Sequence, residues 1–440
     1  MPAESFDNSQ PDLLTRLLGV KRHEVVAVGW SFAYFFCVLS SYYILRPVRE
    51  AMAVGSGPDT IPYLFVGTFV TMLVVTPIFG AVASRYPRRV FLPWVYLFFI
   101  ANIIIFWVVF SRAMAAGGEY VWLGRVFFVW LSVFNLFVVS VFWSFMADIY
   151  TREQGRRLFG FITAGGSIGA LLGGMATSAL VVTIGFQNLL PISAGLLLAA
   201  VFCIRQLRDW VHREHEDKLG ATVESDEPLG GGPLAGVTHV LSSRYFGSIV
   251  AASVIASLLG TALYMFAAEL VESAIPAADA RTRFFSNINI WTNALSLVCQ
   301  MFLVKQVVTR FGIGVSLSLL PIISVVGFTV LAFEPTLAVV AVLTVARRAL
   351  GFGFSKPTTD MLYSVVTPEE KYKTKNFIDT AVYRGGDVVG TWAIKLMSTL
   401  GVAGISLVML PFALIWAVVA LWLGRDYRRQ AKELKMSGIQ

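Results

Sequence analysis

The sequence predicts an all-α polytopic membrane protein with twelve transmembrane helices arranged as two six-helix bundles. Hydrophobic residues occupy 56% of the 440 positions and charged residues only 14%, whereas a soluble domain carries about a quarter of its residues charged. The apolar residues fall in continuous blocks, and roughly 20 such residues cross a bilayer core about 30 Å thick as a helix. Because the blocks do not alternate in polarity, they exclude a transmembrane β-barrel.

Hydropathy divides the chain into six spans on each side of one long polar stretch. The spans lie near residues 24–46, 61–84, 90–111, 126–148, 158–183 and 187–208, then near 245–272, 284–308, 312–334, 336–366, 377–400 and 402–424. The polar stretch contains Gly230-Gly231-Gly232-Pro233 and has the composition of a linker. We therefore expect an N-terminal bundle at 1–208, a cytoplasmic linker at 209–243, and a C-terminal bundle with a cytoplasmic tail at 244–440.

Lysine and arginine collect in alternate short loops, a pattern that sets the orientation of a membrane protein. The basic clusters of the first half are Arg85, Arg88 and Arg89, then Arg152, Arg156 and Arg157. This pattern predicts a multi-pass protein of the bacterial inner membrane with both termini in the cytoplasm. It also accounts for the net charge of +8, which therefore does not indicate a nucleic-acid partner.

The sequence offers no pattern for catalysis or for metal binding. Cys37, Cys203 and Cys299 lie inside apolar blocks without metal-ligand spacing, as small core residues do. The four histidines lie outside the spans, and no GxxxxGKS or GxxxxGKT motif for ATP hydrolysis is present. A membrane-embedded enzyme needs a nucleophile or a metal cluster, so we expect neither an enzyme nor a metal or other cofactor.

Two loops of the first half correspond to two loops of the second half. Ser84-Arg85-Tyr86-Pro87 after span two corresponds to Thr309-Arg310-Phe311-Gly312 after span eight. Thr151-Arg152-Glu153-Gln154 after span four corresponds to Thr367-Pro368-Glu369-Glu370 after span ten. Matched loops at matching places indicate a tandem repeat. In transporters built from such repeats, substrate binds near the membrane midplane between the halves.

Charged residues inside the spans are the strongest indication of a functional site. A charge at the centre of a span costs about 2.5–3.5 kcal/mol on insertion scales, so it needs a partner or a wet cavity. Arg46 and Arg49 lie three residues apart, hence on one helix face, and Glu50 alone neutralises only one of them. The other charged candidates are Asp148, Glu269, Lys356, Asp360, Arg384 and Asp387.

Some of these residues have a purely structural alternative. Lys356 and Asp360 lie four residues apart and Arg384 and Asp387 three apart, so each pair either neutralises itself or lines a site. Arg347 and Arg348 cannot both face inward, so one of them packs structurally. Surplus cations in a wet cavity suit an anionic substrate, because arginine binds phosphate or carboxylate through two parallel hydrogen bonds.

Aromatic, glycine and proline residues complete the prediction. The aromatic candidates either stack on a base or anchor the helices at the membrane interface; they are Tyr42, Tyr43, Trp291 and Tyr383. Gly165, Gly169 and Gly173 share one face of span five and permit close helix contact. Pro47 and Pro357 stand beside charged residues and are expected to break their helices.

Two motifs resemble those of the major facilitator superfamily. GAVASRYPRRV (80–90) is similar to the loop motif between its second and third helices, with Ser84 where an acidic residue is usual. Gly160, Gly169, Gly173 and Gly174 resemble its fifth-helix antiporter motif without the proline. The resemblance implies the two-bundle architecture of that superfamily, in which spans one, four, seven and ten line the cavity.

A narrower resemblance is to the ATP/ADP antiporters of intracellular bacteria and plastids, a twelve-helix branch. YYILRPVRE (42–50) is similar to the end of their first helix, with Arg49 and Glu50 at its Lys-Asp positions. Glu269 falls near a seventh-helix glutamate implicated in transport, and Trp291-Thr292 matches their eighth helix. The remaining similar segments are FWSFMAD (142–148), KPTTDMLYSV (356–365), with Asp360 at a family glutamate, and KYKTKNFID (371–379).

The sequence departs from those antiporters in two places. A fourth-helix glutamate of the family has an uncharged residue in its place around 131–135. YRGGD (383–387) stands where the family has an Asn-Pro-x-Gly-Lys segment, so Arg384 and Asp387 replace its lysine. The transported anion is therefore expected to be a nucleotide such as ATP or ADP, or another phosphorylated or carboxylated solute.

These observations predict a monomeric secondary transporter that moves an organic anion by alternating access, with exchange favoured over net flux. The alternative is a proton-coupled efflux carrier with Asp148, Glu269 or Asp360 as the proton carrier. The residues expected to bind substrate are Arg46, Arg49, Glu50, Glu269, Trp291, Lys356, Asp360, Arg384 and Asp387. Of these, Arg46, Arg49, Glu269, Lys356 and Arg384 are expected to line one central cavity.

Overall fold

The computed structural model describes residue 21 and residues 24–85, 88–118, 120–216, 243–366, 374–375 and 377–436. These residues form helices joined by short turns, and no β-strand occurs within the described ranges. Continuous apolar blocks fold as helices in a membrane because a helix satisfies all of its own backbone hydrogen bonds.

Six long helices form the first half of the chain. They are α1 (Val25–Gly55), α2 (Ile61–Arg85), α3 (Arg88–Ala115), α4 (Val121–Ile149), α5 (Arg152–Ile184) and α6 (Leu189–Glu216). The connection from α4 to α5 ends in a capping box, in which the Thr151 side chain accepts from Gln154 N–H and the Gln154 side chain accepts from Thr151 N–H. That motif satisfies two backbone donors at the start of α5.

The second half repeats this layout with six helical segments, three of which contain π-helical turns. They are α7 (Arg244–Ala274), α8 (Ala278–Phe311, π-helical at Cys299–Leu303), α9 (Ile313–Phe333), α10 (Leu337–Val365, π-helical at Gly351–Ser355), α11 (π-helical Ile378–Val382 followed by α-helical Tyr383–Leu396) and α12 (Gly401–Met436).

Eleven of these helices are long and apolar enough to cross a membrane, within the residues that the structure describes. The exception is α11, whose α-helical part has 14 residues and carries Arg384, Asp387 and Lys395. It nevertheless occupies the place of the predicted eleventh span, between α10 and α12. The predicted all-α membrane fold is confirmed, with the eleventh span shorter and more polar than hydropathy suggested.

The two prolines behave differently from each other. Pro47 lies inside α1, which continues to Gly55, so the prediction that Pro47 breaks the helix is wrong. A proline removes one backbone hydrogen bond and bends a helix without ending it when the following residues pack well; Val48, Ala51 and Met52 are buried. Pro357, in contrast, follows directly after the π-helical turn of α10, where the hydrogen-bonding pattern changes.

The segment predicted as a linker begins with a continuation of α6. This helix runs to Glu216, eight residues into the predicted range, because the charged stretch that leaves the membrane consists largely of residues that a helix tolerates in water. Residues 217–242 lie outside the described part of the chain. We call the side where α6 ends and α7 begins the linker face, and the other side the opposite face.

Helices α1 and α5 approach each other closely along the glycine stripe predicted from the sequence. A methyl group placed on Gly165 would lie 2.6 Å from the Phe32 carbonyl oxygen, and one on Gly173 would lie 2.7 Å from that of Ser40. The Ser40 hydroxyl donates to the Gly169 carbonyl across this contact (3.0 Å). The stripe therefore has the packing role expected of small residues between membrane helices.

The start of α1 is fixed at the linker face by a buried carboxylate, that of Glu24. Both oxygens of Glu24 accept from the Arg157 guanidinium (2.9 and 3.2 Å), and they also accept from the Gln154 amide and the Lys21 backbone N–H (3.0 Å each). Burial alone raises the pKa of this carboxyl, but the hydrogen bonds and the Arg157 charge outweigh burial and lower the pKa to about 2. The negative charge of Glu24 is therefore matched by Arg157, and both of its oxygens are occupied by donors of the protein.

Candidate functional site

The α1 charges predicted as a site lie together in the half of the membrane next to the opposite face. The Arg49 guanidinium donates to Glu50 Oε1 (2.6 Å) and to the Ser132 hydroxyl of α4 (3.1 Å). Its central carbon lies 4.7 Å from the centre of the Phe128 ring, a cation–π contact. Glu50 is 6% exposed, so this ion pair is shielded from water.

Glu50 also links the two halves of the protein. Its second oxygen accepts from the hydroxyl of Tyr264 on α7 (2.6 Å). Both carboxylate oxygens are therefore occupied, one by each half. Sequence analysis did not find Tyr264, because an isolated tyrosine in an apolar span carries no signal until the helix facing it is known.

Arg46 has no carboxylate of its own among the described residues. It donates to the Tyr43 hydroxyl (3.3 Å) and lies 5.5 and 6.0 Å from the ring centres of Tyr43 and Tyr42. From the other half, Arg348 of α10 donates to the Asn289 side-chain oxygen (2.9 Å) and lies close enough to Arg46 for the two charges to repel.

We define the central cluster as Arg46, Arg49, Glu50, Tyr264, Asn289 and Arg348. Three guanidinium groups face one carboxylate, so the cluster carries a surplus of two positive charges inside the membrane. Several buried donors here have no hydrogen-bond partner among the residues that the structure describes: Arg46 Nε, Arg49 Nε, Asn289 Nδ2, Thr292 Oγ1 and Asn293 Nδ2. Buried polar groups are almost always satisfied, so these donors have capacity for the oxygen atoms of water or of an anion.

A small cavity lies between the two halves, on the linker-face side of Arg46. Its lining includes Tyr43, the hydrogen-bond partner of Arg46, but none of Arg46, Arg49, Glu269, Lys356 and Arg384, which were predicted to line one cavity. It has a volume of about 160 Å³ and is lined by Leu39 and Tyr43 of α1, Ser167 and Ala170 of α5, Asn293, Ser296, Leu297 and Gln300 of α8, and Phe352 of α10. Sites that enclose a drug-sized ligand measure about 300–1,000 Å³. The cavity therefore admits a group of the size of a phosphate rather than a whole nucleotide.

The neighbouring Arg347 has a different environment from Arg348. Arg347 donates to the Ser324 hydroxyl (3.1 Å) and to the Ala256 carbonyl (2.6 Å), and its guanidinium lies 5.8 Å from the centre of the Trp416 ring. These contacts all belong to the second half. As predicted for one member of this pair, Arg347 packs structurally, whereas Arg348 belongs to the central cluster.

The pair Lys356 and Asp360 lies outside the central cluster, about 12–18 Å along α10 from Arg348 toward the linker face. Asp360 pairs with Lys375 (2.7 Å) and more loosely with Lys356 (3.9 Å). The side chains of Lys356 and Asp360 are 50% and 40% exposed. The structure therefore places these two predicted residues nearer the linker face, partly exposed, and not among the buried charges.

Residues of α11 approach the cluster from another side. Asp387 accepts from the Ser257 hydroxyl of α7 (2.5 Å), and Arg384 lies 4.0 Å from the other oxygen of Asp387. Tyr383 lies close enough to Arg348 for an electrostatic interaction. Arg384 therefore faces one oxygen of Asp387 while Ser257 occupies the other, and the pair lies next to the central cluster.

Three predicted residues are not brought to the cluster. Glu269 is exposed and lies five residues after Tyr264, so it points about 140° away from the Tyr264 face of α7. Trp291 is 61% exposed and shares its stripe of α8 with exposed Leu295 rather than with buried Asn289. Asp148 is exposed at the linker end of α4.

Hydrogen bonds between the halves occur in the part of the protein next to the opposite face. Besides the Tyr264–Glu50 bond, Ser286 donates to the Gly174 carbonyl (2.6 Å), and Lys395 donates to the Asp59 carbonyl (2.9 Å). The Lys395 ammonium also lies over the Tyr63 ring (4.9 Å to its centre). Together these contacts connect α5 with α8 and α2 with α11, and they close the opposite face.

Comparison with known proteins gives a family and several distant relatives. The sequence model of the Major Facilitator Superfamily matches residues 30–391. ADP,ATP carrier protein 1 of Chlamydia trachomatis is 22% identical, over 92% of this chain and 88% of the relative. ADP,ATP carrier protein 2 of Chlamydia pneumoniae is 20% identical, over 91% of this chain and 89% of the relative.

Solved structures with the same fold are also transporters. A bacterial homologue of the iron transporter ferroportin, in an inward-facing state, superposes with a TM-score of 0.66 at 13% identity and covers 92% of this chain and 98% of its own. The nucleoside transporter NupG superposes with a TM-score of 0.57 at 15% identity and covers 94% of this chain and 100% of its own. At these identities the likeness concerns the fold alone.

Proposed function

The chain belongs to the major facilitator superfamily, and from that premise we propose that it moves an organic anion by alternating access, with nucleotides and other phosphorylated solutes as the first candidates. The observation that carries this proposal is the central cluster, where three arginines face one carboxylate across the two halves.

The surplus charge makes an anion the natural substrate. An uncompensated charge inside a membrane is costly, and a buried ion lacking its partner is destabilising. A phosphate or carboxylate oxygen would both neutralise the surplus and accept from the unpartnered Arg46 Nε and Arg49 Nε donors. Arginine suits such groups because its planar fork forms two parallel hydrogen bonds with them.

The same charge balance favours exchange over net flux. To change its open side, the carrier must at some point enclose the site from both faces. Enclosing two surplus positive charges without an anion is unfavourable, whereas enclosing them with a bound dianion is not. The empty carrier therefore reorients slowly, and the loaded carrier reorients fast.

The contacts between the halves support a conformation that is closed at the opposite face. If the positive-inside pattern holds, the linker face is cytoplasmic, and the cavity is then reached from the cytoplasm in this conformation. The exposed Lys356 and the half-buried Lys375 lie on the linker-face side and share Asp360, which leaves one surplus positive charge there to steer anions toward the cluster.

The relatives support nucleotides as the first candidates without restricting the proposal to them. Two distant relatives carry the name ADP,ATP carrier, and the first-helix residues Arg49 and Glu50 form an ion pair here. The cavity of about 160 Å³ holds a phosphate-sized group. The rest of a larger solute would extend toward the linker face.

A proton-coupled carrier is the second candidate, and one observation favours it. Asp387 lies on a membrane helix with its side chain 14% exposed, and its ion partner Arg384 is 4.0 Å away. Asp387 is held by a neutral hydroxyl donor, Ser257, and by a cation only at this longer distance, so its carboxylate is a candidate to gain and lose a proton during the cycle. In that case Asp387, together with Ser257, would carry the proton.

Proteoliposomes distinguish these proposals directly. Purified protein is reconstituted into vesicles preloaded with ATP, ADP, inorganic phosphate, a sugar phosphate or a dicarboxylate, and uptake of the labelled anion is measured. Anion exchange predicts uptake only with an anion inside and no dependence on a pH gradient. Uptake into empty vesicles that is driven by a pH gradient would favour the proton-coupled carrier, and a lack of uptake of every anion would contradict the anion proposal.

A further inference from the structure

A second and much larger cavity lies at the outer surface of the first half. It is a groove of about 1470 Å³ between α2, α3 and α4, on another side of α4 from Phe128 and Ser132, which contact Arg49 of the central cluster. Aromatic and aliphatic side chains form nearly all of its wall, with Phe98 and Phe99 of α3 opposite Val126 and Val129 of α4. In α4 the wall extends from Trp122 to Phe137, which corresponds to about 22 Å along the helix.

The groove exists because α2 and α3 pack against different partners. Within the described ranges, α2 packs mainly on α4 and α11, whereas α3 packs mainly on α6 and α4. The two consecutive helices therefore diverge, and the space between them faces the surrounding membrane. Several wall residues are strongly exposed, among them Trp94 (66%), Phe98 (60%) and Val126 (57%), which in a bilayer is contact with lipid chains.

One charged side chain interrupts this apolar wall, that of Arg125 near the end of the groove at the opposite face. Its guanidinium lies 4.5 Å from the centre of the Trp122 ring and makes a long hydrogen bond to the Ser56 carbonyl (3.5 Å). No ion pair joins Arg125 to a carboxylate in the part of the chain that the structure describes, and its Nε is buried without a partner.

A second unpartnered donor lies deeper in the same groove. Trp130 lines the wall, and its indole N–H is buried without a hydrogen-bond acceptor. It follows Arg125 by five residues, which places it about 7 Å further along α4 and about 140° around the helix. Trp130 therefore lies on the α3 side of the groove, where its ring packs on Phe99, whereas Arg125 lies on the side of Ser56, just before α2. A phospholipid presents its acceptors in this order, with the phosphate at the surface, the ester carbonyls one glycerol unit deeper, and the acyl chains below.

We propose that this groove binds one anionic phospholipid of the membrane leaflet at the opposite face. Its phosphate pairs with Arg125, an ester carbonyl accepts from Trp130, and its acyl chains fill the space between α2, α3 and α4. The charge of Arg125 is complementary to the headgroup, and the apolar wall is complementary to the chains. Tyr63 lines the same groove and packs on Trp392 and Lys395, so the bound lipid touches the contact that closes the opposite face.

Native mass spectrometry of the full chain tests this proposal without any transport assay. Detergent-purified protein is titrated with phosphatidylglycerol or with phosphatidylcholine of the same acyl chains. We expect phosphatidylglycerol to bind the wild-type protein about tenfold more tightly than the Arg125→Gln variant. Arg112→Gln is the matched control. Arg112 is an exposed arginine in the last turn of α3, near the opposite face as Arg125 is, and it does not line the groove.

A second pair of variants tests the chain-binding part. Val126→Trp places a bulky ring in the groove beside Arg125 and should weaken the tight binding, whereas Val109→Trp, at an exposed position of α3 outside the groove, should not. Thermal melting establishes that each variant is folded. Phosphatidylglycerol binding that is unchanged in Arg125→Gln or Val126→Trp would overturn the proposal. Equal binding of phosphatidylcholine by the wild-type protein, or a copurified apolar molecule without a phosphate, would also overturn it.

Discussion

A buried ion pair lies near each end of helix α1, and the two pairs differ in how well their charges are balanced. Glu24 at the linker face receives four hydrogen bonds and faces one arginine, so its charge is matched and its oxygens are occupied. Glu50 is also fully occupied, but within the described residues Arg46 and Arg348 remain beside it without a carboxylate of their own. The closed pair stabilises the fold, whereas the open cluster has capacity left for a ligand.

The largest expected effect is on transport by the Arg49→Gln variant. Losing one charge of a buried, hydrogen-bonded pair costs about 2–5 kcal/mol, so anion uptake into proteoliposomes should fall by about 100-fold or more while the protein still melts cooperatively. The control is the Arg49→Gln/Glu50→Gln double variant. If the double variant recovers transport, the pair is structural and the comparison between the two ends of α1 fails.

The adjacent arginines of α10 provide the next test. Arg348→Gln should reduce anion uptake by about tenfold with little change in melting temperature, because it removes charge from the central cluster. Arg347→Gln should do the opposite, because it weakens hydrogen bonds to Ser324 and Ala256 that hold the second half together. Equal effects of the two variants on uptake would show that charge alone, and not position, matters.

A smaller effect is expected from Tyr264→Phe. This change removes the hydrogen bond between the halves and leaves one oxygen of Glu50 unpaired, at a cost of about 1–3 kcal/mol. The exchange rate should change by roughly fivefold, because this bond joins the two halves next to the opposite face. Tyr245→Phe is the control, since the Tyr245 hydroxyl donates to the Leu362 carbonyl within the second half (2.9 Å).

Glu24 should affect stability and leave transport unchanged. Its pKa is lowered from 4.5 to about 2, so its contribution to stability is complete above pH 4.5 and is lost as the pH falls toward 2. Thermal melting of the wild-type protein should therefore decline by several degrees across that window. The Glu24→Gln variant should melt lower at pH 7 and show less decline, while the exposed neighbour variant Glu153→Gln should resemble the wild type.

The smallest effect is expected from Lys356→Gln. This side chain is half-exposed, so water screens its charge, and Lys375 lies nearer to Asp360 than Lys356 does. Uptake should fall by about twofold or less at physiological salt, and more at low salt, where steering is stronger. A loss of uptake as large as that of Arg49→Gln would show that the binding site lies nearer the linker face than the central cluster does.

The sequence predicted the part of the site that lies on one helix. Arg46, Arg49 and Glu50 stand out because their charges interrupt an apolar block, and their spacing alone places them on one face. Tyr264 and Asn289 carry no such signal, since what matters is which helix faces them. Glu269 was predicted as a charge inside a span and Trp291 as an aromatic candidate, and both also from a resemblance of sequence segments. None of these signals fixes the direction in which a side chain points.

Some features of the fold could be predicted from the sequence and others could not. Eleven spans follow from hydropathy because apolar length is the physical requirement for crossing a membrane. The divergence of α2 and α3 does not follow from hydropathy, because lipid is as good a neighbour as another helix for an apolar side chain. The π-helical turns of α8, α10 and α11 also depend on packing between helices.

The unmatched charge of the central cluster has an electrical consequence. A membrane potential acts on every net charge that it can move, with an energy of about 2.3 kcal/mol per elementary charge per 100 mV. An empty site with two surplus positive charges experiences this force whenever access changes from one face to the other, whereas a site holding a dianion does not. If the carrier moves an anion as proposed, the potential across the membrane acts mainly on the unloaded carrier, and the charge of the cargo determines how much of the potential the transport cycle uses.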